Sequence, residues 1–143
     1  MISDWHPLVI HFPIALISTS VAFDYLFYFT KRQDISSASW WTMFAGLFSS
    51  LAAIASGIID DSLIGHLGSV WPIWYNHGAM QIIAVIGFAL LFYFKTSKEE
   101  LYKKYTIFYL LSAAILVVIL FYGAHLGLNF QVEYSYYFSY SCL

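Results

Sequence analysis

Four long apolar runs, at roughly residues 7–30, 39–59, 74–94 and 105–128, decide what this chain can fold into. Each is close to the ~20 residues that a helix needs to cross a hydrocarbon core about 30 Å thick. The runs are continuous rather than alternating, and backbone polar groups in lipid must be satisfied within their own segment, so helices are expected and strands are not. With 61% hydrophobic residues and only 10% charged, the chain lies outside the soluble range and has no basic face for nucleic acid. The expected fold is all-α: a polytopic membrane protein built as an antiparallel four-helix transmembrane bundle. One transmembrane domain is expected over 1–143, in contact with the lipid bilayer, with 129–143 as an aromatic tail in the form of a short interfacial or partner-contacting strand.

The residues ahead of the first run carry Asp4 and no lysine or arginine, unlike a cleavable signal peptide, so the first span is expected to be retained. The single cysteine, Cys142, rules out an intrachain disulfide and a thiolate cluster. Pro7 is tolerated in the first helical turn, whereas Pro13 removes a ladder bond and should kink the helix. Trp40 and Trp41 fall where an interfacial aromatic belt is expected. Run two is rich in small residues, Gly46 and Gly57 among them, which permit close approach of a neighbouring helix or a flat ligand.

Charge sets the topology. All six basic residues lie in two connections: Lys31 and Arg32 after the first span, and Lys95, Lys98, Lys103 and Lys104 after the third. The positive-inside rule makes these connections cytoplasmic and both termini periplasmic in a bacterial inner membrane. Asp24, an acid near the cytoplasmic end of the first span, calls for a partner, either Arg32 or a lysine of these loops.

The same topology carries all five histidines outward. His6 and His11 open the first span, His66 lies in the second connection, His77 opens the third span and His125 closes the fourth. Any one of them alone is explained by a place at headgroup level. Together, on three helices at matching depth, His11, His77 and His125 form a pool of neutral imidazoles of the kind that ligates haem iron, copper or zinc. His6 is the next candidate; lying five residues before His11, it falls about 140° away around the helix. Asp60 and Asp61 are placed to accept an imidazole N–H, and Gln81 to line the pocket one turn from His77. Haem b, one or two groups, is the favoured cofactor, because two histidines from facing helices supply its axial ligands, with Gly46, Gly57, Gly78, Gly123 and Gly127 giving it room. The outer side holds no arginine or lysine for the propionates, which would meet water, Trp, Tyr, Asn or backbone N–H groups.

The opening HPLVIHFPIAL, with His6, Pro7, His11, Phe12 and Pro13, resembles the signature of the small bacterial membrane proteins grouped as domain of unknown function 2231. The resemblance extends through Gly57 and Asp60, His77 and Gly78, and Gly123, His125 and Gly127, and covers the chain to about residue 130. The stretch YGAHLG departs from the family's usual closing spacing. Some members are fused to or encoded beside cytochrome-like proteins, so the resemblance implies a haem-linked redox role.

The expected function is therefore that of a b-type cytochrome-like electron-transfer protein or subunit rather than a stand-alone enzyme. Its site lies near the periplasmic face, with a periplasmic cytochrome or other redox-complex subunits as partners. Two other functions fit the same residues: a histidine copper or zinc site for metal handling, and a non-enzymatic scaffold subunit of a larger membrane complex.

Overall fold

A computed structural model describes the backbone of residues 5–64 and 77–140, and the side chains of 11–57 and 78–126. Five helices follow one another: α1 (Trp5–Thr30), α2 (Gln33–Ile64), α3 (His77–Ser97), α4 (Glu99–Lys104) and α5 (Thr106–Tyr140). Four of them are long and apolar enough to cross a membrane, over His11–Thr30, Gln33–Gly57, Gly78–Ser97 and Thr106–Leu126. The protein is an all-α, four-helix membrane bundle.

Alternating direction puts two ends on the bundle. The Lys31–Arg32 turn and α4 lie at one, the basic end; the starts of α1 and α3 lie at the other, the histidine end. Helix α1 packs chiefly on α2 and α3 on α5, while α2 meets α3 and α1 meets α5. Helices α1 and α3 thus run in the same direction and stand across the bundle from each other.

Burial is inverted relative to a soluble protein. The centre is a thin apolar cluster of Ile14, Ile17, Val21, Met43, Ala84, Phe88, Ala113 and Leu120. Ser20, Asp24, Ser39 and Ser50 are buried beside it, while Phe48 is 71% exposed and Val118 67%. Apolar side chains over the whole circumference are a liability in water and the normal lipid-facing surface in a bilayer.

Between α1 and α2 the helices approach closely because Gly46 leaves room. A Cβ there would come within 2.8 Å of Ile17 Cγ1 and 3.2 Å of the Ile17 backbone nitrogen. Four residues before Met43, Ser39 continues the same small-residue face, and Ser20 Oγ donates to its carbonyl at 2.7 Å. Such contacts substitute for the hydrophobic effect, which does not drive helices together in lipid.

The connections are tighter than the sequence pattern predicts. Helix α2 begins at Gln33 rather than Ser39, since Asp34 suits a first helical turn and no breaker intervenes before the apolar run. Only Lys31 and Arg32 link it to α1, and Lys31 makes the reversal with a positive φ of 57°. Helix α3 runs on to Ser97, so Lys95 is helical. The segment expected as a charged loop contains α4, with Glu99 and Glu100 in its first turn and Lys103 and Lys104 in its last, each complementing the helix dipole. The tail forms no strand as far as Tyr140: α5 continues through it, because no proline or glycine interrupts the chain after Gly127.

Candidate functional site

At the basic end, α1 supplies Asp24, which is 1% exposed. A carboxylate in so apolar a place must find donors, and three helices provide them. Lys95 Nζ of α3 lies 2.5 Å from Asp24 Oδ1, Ser39 Oγ of α2 donates to the same oxygen, and Tyr109 of α5 donates its phenolic proton to Oδ2 at 2.7 Å. Lys95 also donates to Ser39 Oγ at 2.9 Å. All four spanning helices therefore meet at one carboxylate. Among the described residues, no buried side-chain nitrogen or oxygen lacks a hydrogen-bond partner.

Tyr102 of α4 closes the cluster. Its ring packs edge-on against Tyr109 at 5.0 Å between centroids. Burial, reinforced by the charge of Asp24, pushes its phenol above the ordinary tyrosine range and keeps it protonated. A cleft of about 530 Å³ opens from this end, lined among others by Tyr28, Lys31, Trp40, Lys95 and Tyr102, and brings Lys95 to its wall. On its rim Glu99 is held below the usual carboxylate range by Lys103, 2.8 Å away.

Asp24 thus takes one of the lysines expected after the third span, while Arg32 pairs with the neighbouring Asp34. Ser20, Ser39 and Tyr109 were not singled out in the sequence. Ser39 and Tyr109 nonetheless sit within two turns of the basic end of their helices, as Asp24 does, and counting turns from that end identifies the level they share.

The histidine end is a separate region. His11 precedes the end of α1 by 19 residues, His77 precedes the end of α3 by 20, and His125 follows the start of α5 by 19. At 1.5 Å per residue, all three stand about 28–30 Å from the basic end. His11 and His125 are on exposed faces of the bundle. The side chains of His6, His77, Asp60 and Asp61 lie outside the described residues, as does all of His66. Among the described residues, no three histidine, cysteine or carboxylate side chains come together as a metal-binding group.

Two residues assigned to the pocket have packing contacts. Gln81 Nε2 donates to the Leu120 carbonyl at 3.2 Å and so ties α3 to α5. A Cβ on Gly123 would meet that same amide and Met80 Cβ at 3.2 Å, so this glycine serves the α3–α5 contact.

Four lipid-exposed helices closed around a satisfied buried ion pair define a polytopic helical membrane protein. The chain belongs to the family described as predicted membrane protein (DUF2231), whose model matches residues 4–139. Comparison with curated proteins and with solved structures finds no match.

Proposed function

We propose that the protein is a b-type cytochrome-like electron-transfer protein, or a subunit of a larger redox complex, with haem held by histidines at the histidine end. The observation that supports it most is the common level of His11, His77 and His125 on three helices, with His6 one to two turns further out on α1. Imidazoles are costly to bring to one depth of a bilayer on separate helices without a shared partner. When bound, haem supplies a one-electron couple. Two of the histidines would hold the iron, and Asp60 and Asp61, at the end of α2, would be the acceptors for their imidazole N–H groups.

The six basic residues gather at the opposite end, so the positive-inside rule makes that end cytoplasmic and the histidine end periplasmic. Electrons would then pass to or from a soluble periplasmic cytochrome or a neighbouring subunit. Bis-histidine iron leaves no open coordination position, which suits transfer rather than oxygen chemistry.

The test is the absorption spectrum of detergent-purified protein from haem-replete cells. A Soret band and a sharp reduced α-band of low-spin b haem are expected. A colourless protein overturns the reading, and metal analysis of that sample then decides whether copper or zinc takes the place of haem.

A further inference from the structure

Each carboxylate at the basic end already has a cation. Asp24 takes Lys95, Asp34 takes Arg32, and Glu99 and Glu100 share Lys103. Two further lysines there, Lys31 in the turn after α1 and Lys104 at the end of α4, have no carboxylate within ion-pair distance among the described residues. Each lies instead over a tyrosine ring, Lys31 Nζ 4.4 Å from the centroid of Tyr28 and Lys104 Nζ 5.4 Å from that of Tyr105. A ring face steadies a cation without neutralising it, so both keep their charge for another partner.

These two lysines and both tyrosines line one cavity of about 430 Å³ between the end of α1 and the start of α5. Among the described residues that line it, Lys103 is a third lysine and none is an acid. That distinguishes it from the neighbouring cleft, with which it shares Tyr28 and Lys31 but which has Glu99 and the paired Lys95 in its wall. On its membrane side the wall is apolar: Ile107 and Phe108, both largely exposed, are the first apolar residues of the α5 span. Unmatched positive charge at the helix ends therefore adjoins lipid-level apolar surface. A soluble anion has use for the first alone, whereas an anionic amphiphile uses both.

The backbone supports the same occupant. Lys31 holds a φ of 57°, a conformation that glycine or asparagine takes at little cost and a long side chain does not. The reversal itself gives no reason for a lysine; an ammonium in the cavity wall does.

We propose that this cavity is a binding site for the phosphate of an anionic phospholipid, held by Lys31 and Lys104 with a further donor from Lys103, the acyl chains lying along Ile107 and Phe108. Basic pockets at the ends of spanning helices recognise anionic headgroups in this way. Lys103 meets Glu99 at 2.8 Å and, with three N–H donors, retains capacity for a phosphate oxygen. The site is independent of the cofactor proposed at the opposite end.

Native mass spectrometry of the detergent-purified full chain, titrated with dioleoyl phosphatidylglycerol, reads occupancy directly. One lipid per chain should bind saturably and more tightly than dioleoyl phosphatidylcholine, and excess inorganic phosphate should not displace it. Lys31→Asn, which keeps the turn, and Lys104→Gln, at an exposed helical position, should each weaken binding about five-fold. Lys98→Gln removes an equal charge from the same end but lines neither cavity, and should leave the affinity unchanged. Melting temperatures of the lipid-free variants establish that each is folded, and either cavity variant decides the question alone. Absence of saturable binding overturns the site, as do equal losses in all three variants, the mark of diffuse attraction to a basic surface. Equal binding of phosphatidylcholine overturns the anionic headgroup, and displacement by inorganic phosphate overturns the lipid in favour of a free phosphate.

Discussion

Lys95 Nζ and Asp24 Oδ1 stand 2.5 Å apart although 71 residues separate them in sequence, and their side chains are 8% and 0% exposed. This pair joins α3 to α1 across the interior of the bundle. Attraction between buried charges offsets the cost of desolvating both, and the hydroxyls of Ser39 and Tyr109 satisfy the carboxylate further. Removing one partner leaves the other charge buried and unpaired. Asp24→Asn and Lys95→Met should each destabilise the protein by about 3–5 kcal/mol. The double variant Asp24→Leu/Lys95→Met should recover much of that loss, giving a large coupling energy in a double-mutant cycle followed by thermal unfolding in detergent.

Gly46 and Gly87 separate two kinds of close contact. A side chain at position 46 meets the backbone of Ile17, which cannot swing aside, whereas one at 87 meets the methyl groups of Leu116. Gly46→Val should cost about 1–3 kcal/mol by forcing α1 from α2. Gly87→Ala should cost less, because Leu116 has other rotamers. Melting temperatures of the two variants in one detergent check the order.

Tyr102 should make stability fall in alkali. Its phenol is raised above the ordinary value of 10.0 by burial and by Asp24, so the folded state favours the protonated form. That contribution is fully present below the unfolded value and is lost as pH rises from there toward the folded one. Between neutral pH and pH ~11, the wild type should lose more stability than Tyr102→Phe, which has no proton to release. Equal losses would mean that the phenol is not held by its surroundings.

Lys31 turns the chain between α1 and α2 at a φ of 57°, where a side chain crowds the following carbonyl. Lys31→Val should destabilise the hairpin by about 1–2 kcal/mol, and Lys31→Asn should be tolerated, since asparagine visits this region readily. Unfolding midpoints of the two variants, compared with wild type, test the turn.

The spans were legible because lipid leaves the backbone only one economical structure, and the apolar runs measure its length. The need of Asp24 for a cation was also legible, since a lone acid in such a run must find one. That Lys95 fills the need depends on α3 continuing past Phe94, which a pattern of apolar residues alone does not show. The helical ends at Gln33 and Tyr140 escaped notice for the same reason: polar and aromatic residues extend a helix beyond the membrane without any apolar signature. Gly46 reads equally well as room for a flat ligand or for a helix, and the structure packs it against α1; Gly123, expected to give haem room, is packed against α3. At the histidine end, the sequence places the histidines on one side of the membrane through the charge topology, and which of them face one another depends on tertiary packing that no apolar pattern encodes.

The absorption spectrum tests the central claim most directly. Protein purified in detergent from haem-replete cells should show a Soret band, a dithionite-reduced low-spin α-band and at least one b haem per chain by pyridine haemochromogen assay. A colourless, folded preparation without haem would contradict it.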